Sequence, residues 1–310
     1  MSVFLRDVVG SYMTDLGKAD EKVLVVNADL MGTCRNKEFC QTFPNRAFNV
    51  GIAEQQLVSF SAGLAIEGFK PYAFTMAPFM SMRACEQVRT DVAYGNRNVK
   101  LMSVYSGLSG GISGPTHWGM EDCGIMRSIA NMTIVEPCDA IEAKALMDYS
   151  LKYEKPMYFR ITTEKVNEIY SDKDTFELGR AKIPVNGKDA AIICSGVTVQ
   201  FAIDASRRLS NEYGLSVKVV DMHTIKPIDE YAIIEAAKTG TVIVAQDHNV
   251  IGGLGTAVAE VLAEYGYSPD FKILGIPDTY GVIGHAGYLY GKYGYDTNGI
   301  VQAVLACTRR

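Results

Sequence analysis

Short apolar runs alternate with amphipathic segments along most of this 310-residue chain. Runs rich in β-branched and apolar residues are expected where both faces of a sheet are covered. Strand–helix–strand alternation predicts parallel α/β sheets. The predicted strands are 22–29, 47–52, 71–76, 99–106, 132–137, 156–162, 190–196, 216–222, 241–247 and 271–276, and the predicted helices are 54–67, 79–94, 119–129, 139–153, 198–213, 229–238, 255–265 and 297–307.

The alternation is interrupted once, between residues 161 and 189. This segment is charged and poorly periodic, and it contains Pro184 and Gly187, which is typical of a linker. We therefore predict two doubly wound α/β domains, 1–180 and 188–310. Two domains also agree with about 100–200 residues per domain.

Composition excludes several classes of protein. The net charge of −5 argues against a nucleic-acid binder, which usually presents a basic face. No apolar run approaches the roughly 18 residues that span a bilayer, and Arg6 and Asp7 interrupt the N-terminal apolar segment, so no signal peptide is predicted. The seven cysteines form no C-x-x-C pair. The sequence therefore predicts no metal site, reduced thiols and a cytoplasmic location, with neither membrane nor nucleic acid as partner.

A single carboxylate follows the apolar run at residues 47–52. In "NVGIAEQQL", Glu54 lies where a strand ends and a helix begins, and open α/β sheets bind ligands at that edge. A helix-start acid stabilised by the helix dipole is the alternative interpretation. Because Ile52 and Leu57 flank it, Glu54 is also a candidate for proton exchange with a cofactor.

A glycine-rich loop is predicted after the strand at 99–106. The stretch "SGLSGGISGPTHWGMED" (106–122) contains five glycines and includes Gly-Pro-Thr-His followed by Trp. Such a loop lets backbone approach a ligand closely. A lone histidine is often structural, but His117 is in a position better suited to function.

Eight stretches, in order along nearly the whole chain, give it a family resemblance. The chain resembles the C-terminal half of transketolases, and most closely the C-terminal subunit of split transketolases. The stretches are "NADL" (27–30), "NVGIAEQ" (49–55), "FTMAPFMSMRACEQVRTDVAY" (74–94), "SGPTHWGMED" (113–122), "IANMTIVEPCDAIEA" (129–143), "DMHTIKPID" (221–229), "DHNVIGGLG" (247–255) and "KYGYDTNGIVQAV" (292–304).

The resemblance implies a pyrimidine-binding domain followed by a transketolase C-terminal domain, with thiamine diphosphate as cofactor. Glu54 would accept a hydrogen bond from N1′ of the aminopyrimidine. Ile52 would contact the pyrimidine and Phe79 would stack on it. Met76 stands where many relatives carry another aromatic residue, and Asp29 follows the first strand, where relatives approach the cofactor.

The same resemblance implies the substrate side of the site. His117 would contact oxygens of the sugar as the second catalytic residue, Thr33 would lie near the substrate, and Arg160 would bind the donor phosphate through its guanidinium fork. Tyr105 and Ser113 replace a histidine and an acid that relatives acting on ordinary sugar phosphates carry. The expected donor is therefore a modified anionic ketose, a phosphate or a sulfonate.

A partner subunit is also implied. The family holds its diphosphate and metal with Gly-Asp-Gly and a later Asn-Asn, and Gly-Asp-Gly is absent from the 310 residues. We expect an N-terminal transketolase subunit to hold Mg²⁺ or Ca²⁺, and self-dimerisation of this chain to give a heterotetramer. The predicted activity is transfer of a two-carbon ketol unit to an aldose. An E1 β-like subunit of a 2-oxo acid dehydrogenase and a non-catalytic assembly subunit are the alternatives.

Overall fold

The computed structural model describes residues 2–308. The elements of the first half begin with a short strand and a long helix. In chain order they are β1 (Ser2–Phe4), α1 (Leu5–Ala19), β2 (Val23–Asn27), α2 (Lys37–Thr42), β3 (Ala47–Asn49), α3 (Glu54–Ile66), β4 (Lys70–Met76), α4 (Cys85–Gln87), β5 (Lys100–Val104), α5 (Asp122–Ser128), β6 (Thr133–Val135), α6 (Ala140–Lys152), β7 (Met157–Ile161) and β8 (Lys165–Asn167).

The second half continues the alternation of strands and helices. Its elements are β9 (Lys182–Val185), β10 (Ala190–Cys194), α7 (Thr198–Tyr213), β11 (Val217–Asp221), β12 (Thr224–Lys226), α8 (Glu230–Ala237), β13 (Thr241–Asn249), α9 (Leu254–Glu264), β14 (Asp270–Ile276), α10 (Ala286–Tyr293) and α11 (Thr297–Thr308).

The first sheet has seven strands in the order β12-β6-β7-β5-β4-β2-β3, and all its neighbours except β12 and β6 run parallel. One face packs against α1 and α6, and the other against α3, α5 and the helical segment after Met76. Strands β2, β5 and β7 are buried along their whole length, which explains why their sequences are nearly continuous apolar runs rather than alternating ones.

The second sheet has the order β14-β13-β10-β11-β9, with β9 antiparallel at one edge. Helices α7 and α11 cover one face, while α8 and α9 cover the other. Both sheets are therefore covered on two faces, which confirms the predicted doubly wound α/β fold class.

One strand of the second half completes the sheet of the first. Strand β12 pairs antiparallel with β6, bringing Thr224 opposite Val135. The apolar core around the second sheet also includes Leu108, Trp118 and Met120 from the glycine-rich loop. The two halves thus share both a sheet and a core. The boundaries 1–180 and 188–310 stay predictions.

All ten predicted strands are present, and the differences lie elsewhere. Helices α1, α2 and α10 were not predicted. The buried residues of α1 include Leu5, Val9, Met13 and Leu16, which have the spacing of one helical face. Gly10 and Gly17 lie within this helix and obscure that pattern in the sequence. The helix predicted over 79–94 instead consists of π-helical turns on either side of α4. The linker predicted at 161–189 contains the two short strands β8 and β9.

Within residues 2–308, no helix combines the length and apolar character needed to cross a membrane. The seven cysteines are all free thiols, four of them buried.

A buried acidic pair links the two halves. Glu142 of α6 and Asp221 of β11 are fully buried, and Asp221 accepts hydrogen bonds from Tyr170 Oη at 2.7 Å and from the Cys138 thiol at 3.4 Å. Glu142 Oε1 and Asp221 Oδ1 find no donor among the described residues. Burial raises the pKa of Asp221 to about 7 and that of Glu142 well above its ordinary value. Both carboxyl groups therefore keep a proton to higher pH than an exposed carboxyl group does.

Cys138, Glu142 and Asp221 also present ligand-type atoms within 4.8 Å of one another. Burial raises the pKa of the Cys138 thiol well above its ordinary value, and a metal ligand must be the thiolate. Metal binding at this cluster would therefore have to displace the thiol proton.

We expect Asp221→Asn to change the pH dependence of stability. A carboxyl whose pKa is higher in the folded than in the unfolded chain stabilises the fold at low pH, and this contribution is lost as pH rises from about 4 to about 7. Asparagine cannot ionise, so the variant should gain about 4 kcal/mol relative to the parent over that range, at about 1.4 kcal/mol per pH unit. Denaturant unfolding between pH 4 and 8 measures this difference.

Asp172→Asn is the matched control, because Asp172 is exposed two residues beyond Tyr170. Parallel stability curves for the parent and Asp221→Asn would contradict a raised pKa of Asp221 in the folded chain. The groups that face Asp221 are Glu142, Asp139, Cys138 and Tyr170, and all are unchanged in the variant.

Candidate functional site

A cavity of about 420 Å³ lies at the carboxyl ends of β2 and β4, where α3 begins. It brings together six of the predicted site residues from separate stretches of sequence. Its lining residues are Ala28, Asp29, Leu30, Ile52, Glu54, Met76, Phe79, Arg83, Thr116 and His117. Three larger cavities, of about 440, 540 and 710 Å³, are lined by other parts of the described chain and include none of the predicted site residues. The smaller cavity is therefore the candidate site.

Glu54 is the most deeply buried acid of the cavity. Strand β3 ends at Asn49 and the chain turns through Gly51, whose φ of +76° favours glycine, before α3 begins at Glu54 itself. Only 1% of Glu54 is exposed. Its Oε2 accepts a hydrogen bond from Arg83 at 2.7 Å, and its Oε1 lies 3.5 Å from the Thr75 hydroxyl. The carboxylate is thus aimed into the cavity from the first turn of a helix.

Two aromatic rings, those of Phe79 and His117, also line the cavity. Phe79 lies in the π-helical turn that follows β4, and its ring centroid is 5.4 Å from that of His117 at an interplanar angle of 68°. The guanidinium of Arg83 lies 4.3 Å from the Phe79 centroid, over the ring. π-helical turns of this kind are frequent at functional sites.

The remaining wall of the cavity is largely apolar. Ile52 is 77% exposed at the rim, and Met76 is buried at the end of β4. Asp29 has a φ of +57°, and its backbone N–H donates to Asn49 Oδ1 while its own Oδ1 accepts from Asn49 Nδ2. This pairing fixes the turn after β2 against the end of β3.

The second half of the chain holds the loop that carries His117. Asp247 of β13 accepts hydrogen bonds from the Leu108 backbone N–H at 2.9 Å and from the hydroxyls of Tyr290 and Tyr295 at 3.2 and 2.8 Å. Trp118 Nε1 donates to the Gly111 carbonyl within the loop. Burial raises the pKa of Asp247 to about 7. The position of His117 therefore depends on residues more than a hundred positions away in sequence.

Three predicted substrate residues do not line the cavity. Thr33 is half-buried in the turn after β2, and Ser113 is exposed in the glycine-rich loop. Tyr105 is half-buried with a φ of +63°, and its ring packs against Gly110. Their predicted contacts with a substrate stay predictions.

The structure contradicts the prediction for Arg160. Its side chain is fully buried. The guanidinium forms a bidentate pair with Asp122 at 2.8 and 2.9 Å and donates a hydrogen bond to Glu136. It also donates to the backbone carbonyls of Gly119 and Asp247. The carboxylates of Asp122 and Glu136 outweigh burial and raise the pKa of Arg160 well above its ordinary value. Because the guanidinium is buried and enclosed by these acceptors, it is not accessible to a substrate anion. The sequence motif that suggested Arg160 gave no information on its neighbours in the fold.

Arg83 and Thr116 are lining residues that the sequence analysis did not identify. Thr116 precedes His117 in the Gly-Pro-Thr-His motif, and its hydroxyl lies 2.9 Å from His117 Nδ1. Arg83 follows Phe79 by four residues, a spacing that places side chains on one face of a helix. That spacing was the available signal.

Comparisons with known proteins agree over nearly the whole chain. The family model for the transketolase pyrimidine-binding domain matches residues 2–168, and the model for the transketolase C-terminal domain matches residues 179–300. The chain is 36% identical to the 6-deoxy-6-sulfo-D-fructose transketolase subunit SqwH of Clostridium sp. strain MSTE9, over 99% of this chain and 95% of that protein. It is also 36% identical to an apulose-4-phosphate transketolase subunit of Phocaeicola vulgatus, over 96% of this chain and 95% of that protein.

Among solved structures, a split-gene transketolase in an inactive beta4 tetramer shares 36% identity, with a TM-score of 0.89 and 98% coverage of both chains. Transketolase from Campylobacter jejuni matches with a TM-score of 0.84 at 20% identity, over 98% of this chain and 47% of that one. This second match shows similarity of fold.

We expect Arg160→Met to lower stability strongly, by about 3–5 kcal/mol, because it leaves two buried carboxylates without their cation. Thermal and denaturant unfolding of the full chain measure the loss.

Arg207→Met is the matched control, since Arg207 is exposed and forms only a surface pair with Asp204; it should change stability by less than about 0.5 kcal/mol. A stable Arg160→Met chain whose only defect is weak binding of anionic donors would restore the role predicted from sequence.

Proposed function

Because the chain belongs to the transketolase family, we propose that it is the C-terminal subunit of a two-subunit, thiamine diphosphate-dependent transketolase. It transfers a two-carbon ketol unit from an anionic ketose to an aldose acceptor. The observation that carries the proposal is the convergence of Glu54, Phe79 and His117 on one cavity, at the carboxyl ends of parallel strands.

The cavity suits an aminopyrimidine ring. Glu54 offers a buried carboxylate as hydrogen-bond acceptor, and Phe79 offers a ring on which a flat heterocycle can stack. Ile52, Met76 and Leu30 supply apolar contacts around it. An acceptor, an aromatic face and an apolar wall are the groups that recognise such a ring, so the residues present fit this part of the cofactor.

Each side chain then has a definite task. Thiamine diphosphate, when bound, supplies an electron sink for cleaving the carbon–carbon bond of a ketose. Glu54 holds the pyrimidine and exchanges a proton with its ring nitrogen. His117, with Thr116 on its Nδ1, binds substrate oxygens. Phe79 and Met76 keep the pyrimidine in place and exclude water from it.

The diphosphate end of the cofactor requires a partner. The cavity contains the carboxylates of Asp29 and Glu54 and a guanidinium that is already paired, and the sequence lacks Gly-Asp-Gly. We propose that an N-terminal subunit supplies the diphosphate site with Mg²⁺ or Ca²⁺, and that two copies of each subunit form a heterotetramer. Two similar proteins of nearly the same length are named as transketolase subunits, which supports this assignment.

A modified ketose is the proposed donor. Tyr105 and Ser113 stand where relatives acting on ordinary sugar phosphates carry a histidine and an acid, and neither residue type carries a full charge near neutrality. The named substrates of the two relatives, a sulfo-sugar and a branched sugar phosphate, support the same class. Since Arg160 is fully paired inside the fold, the anionic end of the donor must meet another cation.

We expect Glu54→Gln to lower turnover of the complex about 10²–10⁴-fold, because a positioned proton-transfer group is lost. The assay mixes this chain with the partner, encoded by a reading frame that contains Gly-Asp-Gly, and adds thiamine diphosphate and Mg²⁺. The chain without the partner should bind the cofactor poorly.

Glu67→Gln serves as control, since Glu67 is exposed at the other end of the same helix. Near-full turnover of Glu54→Gln at saturating cofactor, or tight Mg²⁺-dependent binding by the isolated chain, would contradict the proposal.

The donor preference predicts that kcat/KM for 6-deoxy-6-sulfo-fructose or apulose 4-phosphate exceeds that for xylulose 5-phosphate. Restoring an acid with Ser113→Asp should shift the ratio by about tenfold or more toward the ordinary sugar phosphate. Ser128→Asp, at an exposed serine of α5, adds the same charge elsewhere and should leave the ratio unchanged. A wide preference of the parent enzyme for xylulose 5-phosphate would overturn the assignment of donor class.

A further inference from the structure

Arg83 makes two contacts inside the candidate site. Its guanidinium donates a 2.7 Å hydrogen bond to Glu54 Oε2, and it lies over the ring of Phe79 at 4.3 Å from the centroid. These are the same two groups that the proposed function assigns to the aminopyrimidine of the cofactor. The guanidinium therefore occupies Glu54 Oε2 and one face of the Phe79 ring.

A guanidinium and a protonated aminopyrimidine have similar recognition chemistry. Both are flat, both present N–H donors in the plane to a carboxylate, and both stack on an aromatic face. A site built from a buried carboxylate beside a phenyl ring will accept either group. It cannot accept both at once on the same carboxylate oxygen and the same ring face.

We propose that Arg83 is a placeholder for the cofactor: it neutralises Glu54 and covers Phe79 in the unloaded subunit, and it leaves when the pyrimidine binds. This inference rests on the proposed function, because it requires that Glu54 and Phe79 receive the pyrimidine.

The unloaded site needs a cation at this position. Glu54 is 1% exposed, and its only other side-chain hydrogen-bond partner among the described residues is the Thr75 hydroxyl, at the long distance of 3.5 Å. An ionised carboxylate that is buried and unpaired is strongly unfavourable. Arg83 removes that penalty until the cofactor can do so.

Arg83 is also held weakly enough to leave. Its side chain is 47% exposed, and Glu54 is its only hydrogen-bond acceptor in the part of the chain that the structure describes. Arg160, in contrast, is fully buried and donates to two carboxylates and two carbonyls. The single hydrogen bond of the half-exposed Arg83 side chain can be replaced by hydrogen bonds to water. The hydrogen bonds of the buried Arg160 cannot be replaced in this way.

The test is the affinity of the two-subunit complex for thiamine diphosphate in the presence of Mg²⁺. Arg83→Met removes the competitor and should tighten binding about three- to tenfold. The single tryptophan, Trp118, directly follows His117, so its fluorescence reports occupancy, and calorimetry provides a second measurement. Arg89→Met, at an exposed arginine that lines a different cavity, should leave the affinity unchanged.

The gain should require Glu54. In a Glu54→Gln background, Arg83→Met should no longer tighten binding, because glutamine carries no charge for Arg83 to neutralise. Arg83→Lys, which keeps the charge but not the flat stacking surface, should fall between the parent and Arg83→Met.

Stability of the protein provides a readout that is independent of catalysis. Without cofactor, Arg83→Met should lower the melting temperature of the full chain, because Glu54 is left unpaired. With saturating cofactor, the melting temperatures of the parent and variant complexes should coincide.

Three results would overturn the inference. Weaker cofactor binding by Arg83→Met would mean that Arg83 supports the cofactor. Unchanged affinity with a raised KM for anionic donors would instead assign Arg83 to the substrate. Failure of the parent complex to bind thiamine diphosphate would overturn the proposed function together with the inference, whereas the first two results leave the proposed function intact.

Discussion

The ion pair of Arg160 with Asp122 and Glu136 holds the two halves of this protein in register. Arg160 lies in β7 of the first sheet, and its guanidinium reaches the Asp247 carbonyl in β13 of the second. The other carboxylate oxygen of Glu136 accepts from Ser195 and Gln246, both in the second half. Moving one member of a buried ion pair away from its partner is strongly unfavourable, because it leaves a buried charge uncompensated. The same network fixes the position of the loop that carries His117. Arg160 donates to the Gly119 carbonyl at one end of this loop, and Asp247 accepts a hydrogen bond from the Leu108 N–H at the other.

The sequence was most informative where a pattern repeats over many residues. All ten predicted strands followed from apolar runs. The cavity residues Glu54 and His117 were found because each follows a predicted strand, whereas Phe79 was found only through the family resemblance. Helix α1 was missed because Gly10 and Gly17 interrupt its pattern. Gly10 is required by packing: a Cβ there would lie 2.3 Å from the Cys34 carbonyl oxygen.

Arg160 and Arg83 show why residue type alone does not assign a role. One arginine was expected to meet a substrate and is instead enclosed by acids supplied from distant elements, none of which could be placed near it from sequence. The other was overlooked within a helical stretch and lies in the cavity. The two arginines differ in burial and in the number of their hydrogen-bond acceptors. Arg160 is 0% exposed and donates to four groups, whereas Arg83 is 47% exposed and donates to one. Those quantities are properties of the folded chain.

The pairing of β12 with β6 has a consequence for how this protein can be divided. The two family regions meet between residues 168 and 179, yet a strand that lies beyond that point supplies the edge of the first sheet. A chain ending at the family boundary would expose the backbone of β6 and the apolar surface that Ile225 covers in the core, and an open edge of this kind invites pairing with other chains. The unit recognised by the family model is therefore smaller than the unit that folds. A fragment that ends at that boundary would be prone to aggregate through the exposed edge strand β6.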